Sequence, residues 1–303
     1  MKQLLQKSAL FFSILILIKI PFFLFYEDEP MYRKSQVARE EFNTVFIGSS
    51  RTKFDIIPAY FDSLTKEKTK SYNFGVAYGL PPQTFFWCEE LMRENPSLKY
   101  IFFELSGGLN KSEGYRETWS EFYFADYSRV IKNLNFKGSL VYHDKLVAGF
   151  FKPSFSHREN RIDHNIPLEK VFEAKELKAK AVISQQFVRE TYRLNLLVEN
   201  ENYHEASINE LYWDSITRLI ELAESKQIRI YFFIPPRIES ENELKMIHPI
   251  YKKLDKKYKV SVAHFDEMFY RDETSIDDSH LNHKGAMQFT KYMAEAFNKH
   301  SWK

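Results

Sequence analysis

Short apolar runs alternate with amphipathic stretches along most of the chain. The runs at 44–47, 71–76, 99–105, 228–234 and 260–265 are rich in β-branched and aromatic residues. Apart from 71–76, they lack the strict in–out alternation of a half-exposed strand, which predicts strands buried on both faces. Between them, 59–68, 81–94, 206–226, 241–257 and 284–299 carry helical spacing; the second begins at prolines, tolerated in a first helical turn, and stops before Pro96. Strands alternating with helices predict an α/β fold with a parallel sheet covered on both faces. The rhythm breaks at 109–200, an aromatic, basic and mostly helical stretch. It reads as an insertion at the carboxyl edge of the sheet, where open α/β proteins build their sites.

Ahead of this pattern, residues 8–26 read SALFFSILILIKIPFFLFY. That is about the 20 residues a helix needs to cross a hydrocarbon core. Lys2 and Lys7 precede the run and Glu27, Asp28 and Glu29 follow it. The basic flank predicts a cytoplasmic amino end and an extracytoplasmic remainder. Lys19 is a charge within the span and Pro21 a kink; an intramembrane charge commonly faces another protein. No small-x-small cleavage site follows, so an uncleaved single-pass anchor over 1–26 in the cytoplasmic membrane is expected, with a buried core helix as the alternative. Residues 27–42 then read as a polar juxtamembrane linker, and 43–303 as one domain with its insertion.

Composition narrows the chemistry. The 43 basic and 41 acidic residues nearly cancel, which removes the electrostatic case for nucleic acid. Cys88 is the single cysteine, so an internal disulfide and CxxC chemistry are excluded, and its place in a helical run reads as buried filler. His143, His157, His164 and His204 show no metal-ligand spacing. There is no P-loop and no GxGxxG, so no metal and no cofactor is expected. Trp119, Phe122, Tyr123, Phe124 and Tyr127 read as packing within the insertion, or as a sugar-stacking wall or membrane-facing lid.

Two short blocks carry candidate chemistry. Phe46-Ile-Gly-Ser-Ser-Arg-Thr52 is an apolar strand running into a Gly and two serines. A nucleophile needs a rigid strand, a tight turn that exposes its hydroxyl, and following amides that face a developing oxyanion. The same pattern also serves a turn or a helix cap. Asp277-Asp-Ser-His280 precedes the last helix. Asp-x-x-His lets a carboxylate fold back on the imidazole Nδ1 and leaves Nε2 to take a serine proton. Asp278 and His283 flank this pair as alternatives. Arg51, after the serines, and Arg237, after Pro235-Pro236, read either as substrate-binding cations or as surface ion pairs.

Together the blocks resemble the SGNH (GDSL-like) hydrolase superfamily, and especially its membrane-anchored bacterial branch that opens with Gly-Ser-Ser-Arg. The resemblance covers about 44–105 and 206–299. It implies a three-layer flavodoxin-like parallel sheet. It makes Ser50 the nucleophile, His280 the general base and Asp277 its orienting carboxylate. Ser49 stands where the family usually has Asp. The family's second block, a Gly that joins the oxyanion hole, matches Asn73-Phe74-Gly75, which assigns Gly75 beside the amide of Ser50. The third block, Gly-x-Asn-Asp, fits poorly: Asn110 comes a residue or two late, after Gly107-Gly108, with no Asp behind it.

What the resemblance implies is serine-dependent acyl-ester hydrolysis or O-acyl transfer on a cell-envelope glycan, outside the cytoplasmic membrane. The similar proteins resemble polysaccharide O-acetyltransferase and D-alanyl-transfer subunits. The implied partners are an acylated glycan or acyl donor and a multispanning membrane-bound O-acyltransferase. A second expectation is a non-catalytic SGNH-fold subunit that binds glycan or scaffolds an envelope complex. A third is a lipase-like enzyme, for which a deep apolar cleft would be expected.

Overall fold

Four of the apolar runs form one sheet. In the computed structural model of the chain, the described residues are 6–7, 10–11, 13–14, 17, 29–66, 68–76, 81, 83–107, 165–173, 208–236, 241–260, 267–277 and 279–299. Within them, β1 (Thr44–Gly48), β2 (Ser71–Gly75), β3 (Tyr100–Glu104) and β4 (Arg229–Phe233) pair in the order β2-β1-β3-β4. Every pairing is parallel, with Gly48 level with Gly75 and Phe46 level with Phe102. A parallel bridge from Phe232 to Lys259 starts a fifth position beyond β4. The rest of the expected strand at 260–265 lies outside the described residues, as does the insertion save 165–173, which carries α5 (Leu168–Glu173).

The continuous apolar strands are explained by two cores, one on each face. Val45, Ile47, Ile101, Phe103, Ile230 and Phe232 point to one side. There they meet α4 (Gln83–Glu94), α6 (Glu210–Ser225) and α7 (Glu241–Lys253). Phe46, Phe102, Tyr231 and Phe233 point to the other, against Phe61 of α3 (Pro58–Leu64) and the buried stripe of α8 (His283–Lys299). That stripe is Ala286, Phe289, Met293, Ala294 and Phe297, the spacing of a helix with one apolar face. Phe46 stacks on Phe102 with centroids 4.7 Å apart and meets Phe61 edge-on at 4.9 Å. The expected helices are present with shifted ends. The one expected over 59–68 spans Pro58–Leu64 and gives way near Lys66, which has φ 56°.

One stretch differs from expectation, and the expected membrane span is described only in part. Residues 27–42, expected as a linker, contain α1 (Glu29–Arg39). Val37 is fully buried in the first core, Lys34 pairs with Glu94 at 2.6 Å, and Arg33 donates to the Asn73 carbonyl at 2.7 Å. The polar composition concealed that only one side of this helix needs to be apolar. Arg33 and Asn165, whose side chain also donates to the Asn73 carbonyl, at 3.2 Å, cover the outer edge of β2. An open strand edge is otherwise a template for unwanted pairing. In the expected membrane span, the described residues are helical and Leu10, Phe11, Ile14 and Leu17 are exposed. Lys19 and Pro21 lie outside the described residues. No helix among the described residues is long and apolar enough to cross a membrane.

Candidate active site

In a sheet ordered β2-β1-β3-β4, the chain leaves β1 to one side for β2 and crosses to the other side for β3. The crevice at the carboxyl ends of β1 and β3 is the switch point where such folds bind ligands. Ser50 stands there, two residues beyond β1, as the first residue of α2 (Ser50–Asp55). The turn is tight because Ser49 caps this helix: its side chain accepts from the Arg51 amide at 3.2 Å, and its carbonyl accepts from Lys53 at 3.1 Å. Gly48 permits it, since a Cβ there would meet the side chains of Thr52 and Glu104.

His280 and Asp277 arrive on a narrow hairpin ahead of α8. Ser275 bridges antiparallel to Leu281, and the Ile276 amide donates to the His280 carbonyl at 3.0 Å. This closes the loop so that the Asp277 carboxylate folds onto the imidazole. Both its oxygens lie 2.9 Å from His280 Nδ1. Oδ1 also accepts the amides of Ser279, at 2.9 Å, and His280, at 2.8 Å. On the far side of the ring, Nε2 is 2.8 Å from Ser50 Oγ. Phe54 of α2 packs edge-on against the imidazole, with centroids 4.8 Å apart. Asn282 then caps α8 by accepting the Gly285 amide at 3.0 Å.

The electrostatics fix the direction of proton flow. Burial alone would raise the Asp277 carboxyl. The hydrogen bond and charge of His280, with the amides of Ser279 and His280, outweigh it and hold the group at about 2. Asp277 is therefore ionised at neutral pH and can only accept, so the proton between the two residues sits on Nδ1. Nε2 then carries the lone pair and receives the Ser50 hydroxyl hydrogen. The result is an ordered Ser–His–Asp chain able to deprotonate a hydroxyl as it attacks an electrophilic carbon. Of the flanking alternatives, His283 opens α8, and Asp278 lies outside the described residues.

Gly75 departs from its expected role. Its amide donates to Asn73 Oδ1 at 2.8 Å, so it is not directed at a substrate oxygen. What this position requires is the missing side chain: a Cβ would sit 2.6 Å from Lys53 Cα, in the backbone of α2. The same Asn73 side chain donates to the carbonyls of Thr52 and Ile56, each at 2.8 Å, and so seals the carboxyl end of α2. The Asn-x-Gly block thus works as a seat for the serine-bearing helix. Asn110 lies outside the described residues.

Arg51 forms an ion pair, one of its two expected readings, but the pair is buried rather than on the surface. Its guanidinium meets Glu243 of α7 in a two-pronged pair at 3.0 and 2.9 Å, with both side chains largely buried. Burial disfavours the charge on Arg51, but Glu243 more than compensates and raises its pKa. Burial likewise pushes Glu243 up, and Arg51 overrides it and lowers the carboxyl. Glu243 additionally accepts the Gly107 amide at 3.0 Å. The fork of Arg51 is spent inside the protein, joining the serine turn to the loop after β3 and to α7. Arg237 lies outside the described residues.

A carboxylate not singled out in the sequence lies beneath the serine. Glu104, the last residue of β3, is fully buried and accepts hydrogen bonds from the turn that holds Ser50. Its signal was an acid ending a wholly apolar strand, where a charge must find partners. Asp55 was missed too, within a short helix that reads as loop. Cys88 is buried, which pushes its thiol well above the usual range. Among the described residues no cluster of His, Cys, Asp and Glu could hold a metal ion. No protein-family model matches the chain, and no curated protein matches it.

Proposed function

We propose that the chain is an extracytoplasmic, serine-dependent acyl-ester hydrolase or O-acyltransferase of the SGNH type, acting on a cell-envelope glycan. One observation carries the reading: the Ser50–His280–Asp277 hydrogen-bond chain stands at the switch point of a parallel sheet. Ser50 Oγ attacks the ester carbonyl while its hydrogen passes to His280 Nε2. The Oγ–C bond forms and the carbonyl π pair moves onto oxygen. Collapse expels the alcohol, which takes the proton back from Nε2 and leaves an acyl-serine. Water, or a sugar hydroxyl, then repeats the sequence in reverse, and the acyl group leaves as acid or as a new ester. Asp277 holds the imidazole in one tautomer throughout. The Ser50 amide, at the start of α2, is the oxyanion donor this reading retains.

Leu10, Phe11, Ile14 and Leu17, exposed along one apolar stretch, support a membrane-anchored placement. Anchorage beside a multispanning O-acyltransferase belongs to the same proposal. The second reading, a non-catalytic SGNH-fold subunit that binds glycan or scaffolds such a complex, draws on the Gly75 amide being engaged by Asn73. The test is turnover of p-nitrophenyl acetate and labelling by a fluorophosphonate, with the full chain in detergent. Under the catalytic reading, wild type labels and turns over, and Ser50→Ala and His280→Ala do neither. Activity that survives Ser50→Ala would sink it.

A further inference from the structure

Both oxygens of the Glu104 carboxylate are engaged by the serine turn. Oε2 accepts the amides of Ser49, at 2.9 Å, and Thr52, at 3.1 Å, and the Thr52 hydroxyl at 2.5 Å. Oε1 accepts the Ser49 hydroxyl at 2.6 Å. Three of these donors converge on Oε2 and one reaches Oε1. The donors come in pairs from the residues that bracket Ser50 and Arg51. Ser49 and Thr52 are thereby held from below, on either side of Ser50 and Arg51. Because the Ser49 hydroxyl donates to Glu104, its lone pairs face the Arg51 amide and cap α2. Gly48 is required for the same reason, since a Cβ there would collide with Glu104 and Thr52.

We infer that Glu104 is a positioning residue for the nucleophile: from the central strand it sets the backbone of the turn so that Ser50 Oγ meets His280 Nε2. Glu104 is fully buried beneath the turn, so it touches no substrate and acts only through the residues it holds. It also supplies a carboxylate to a turn whose own residue at that point, Ser49, has none. An ionised acid is the group that fits, since every neighbour donates. A carboxamide of the same shape offers one acceptor oxygen and turns two hydrogens toward other donors.

The catalytic readout of this inference rests on the acyl-transfer reading, but its structural readout does not. Wild type, Glu104→Gln, Glu104→Asp and Thr52→Val are compared as full chains in detergent, and crystal structures are determined for wild type and Glu104→Gln. Expected in Glu104→Gln are a folded protein, a shifted 49–52 turn, and a Ser50 Oγ no longer within hydrogen-bond distance of His280 Nε2. Misplacement on this scale lowers kcat for p-nitrophenyl acetate and the fluorophosphonate labelling rate by about 100-fold, with KM little changed. Glu104→Asp, which keeps the charge one methylene short, and Thr52→Val, which removes one donor, fall between. Should Glu104→Gln be too unstable to study, those two variants carry the comparison. A Glu104→Gln structure with the turn and the Ser50–His280 contact intact overturns the inference, as does wild-type labelling in all three variants. Should wild type itself not label, the acyl-transfer reading falls, and the Glu104→Gln crystal structure still decides the positioning role.

Discussion

The Leu281 amide donates to Asp55 Oδ1 at 3.1 Å, which ties the last residue of the serine-bearing helix to the residue directly after His280. Asp55 is fully buried, so this bond replaces water for both groups. Two halves of the site, 230 residues apart in sequence, are thus registered by the backbone as well as by the Ser50–His280 contact. Asp55→Ala leaves a buried amide unsatisfied and should cost about 1–3 kcal/mol in urea unfolding. It should also slow fluorophosphonate labelling of Ser50. Labelling at the wild-type rate would mean that the hairpin keeps its register without this bond.

Asp277 gives a pH dependence with a definite sign. Its carboxyl is held at about 2, below the value of about 3.9 for an unfolded chain. A depressed native pKa contributes stability that is complete above the unfolded value and lost as pH falls through the native one. Wild type should therefore exceed Asp277→Asn in urea midpoint by a steady margin above about pH 4. The margin should close as the pH drops toward 2. It should be modest, because the side chain is 42% exposed and solvent screens it. A margin that widens on acidification would contradict the assignment. At neutral pH the same variant should lose about four orders of magnitude in kcat, because its imidazole is no longer held in the useful tautomer.

The Arg51–Glu243 pair should behave as a buried structural clamp. Arg51→Met strands a buried carboxylate and should cost about 3 kcal/mol. Arg51→Lys should recover little, since an ammonium cannot match the two-pronged geometry. Removing both charges in Arg51→Met with Glu243→Met should be milder than either single change, as a double-mutant cycle would show. Additive losses would place the value of Arg51 elsewhere, with substrate binding first among the alternatives.

Gly75→Ala tests which role the glycine serves. The added methyl group points into the backbone of α2 near Lys53, which cannot yield as a side-chain tip would. A loss of about 1–3 kcal/mol is expected, with Tm as the readout. Unchanged stability would show that the added methyl group is accommodated and would sink the packing role.

The strands were legible because most are short apolar runs rich in β-branched and aromatic residues, alternating with longer amphipathic stretches. Ser50, Asp277 and His280 could be singled out because their chemistry depends on local spacing beside a strand end or a helix start. Partnership across the fold was not legible. Whether Arg51 faces substrate or Glu243 is decided by a residue 192 positions away. Glu104 and Asp55 were invisible for the same reason: their donors are assembled only when β3 lies beside β1 and the hairpin lies beside α2. The helix at Glu29–Arg39 was hidden by a surface that is polar nearly all round, with Val37 as its buried anchor.

That helix has a consequence for where the domain can reach. α1 is held to β2 through Arg33 and to α4 through Lys34, so it moves with the domain. With residues 8–26 in the bilayer as proposed, only a two-residue step separates the lipid from the clamped helix, a reach of less than about 10 Å even fully stretched. The domain is then mounted rather than leashed, and its working radius is a thin shell against the membrane face. Acyl donors delivered at that surface come within range, while acceptors deeper in the envelope must be brought to it.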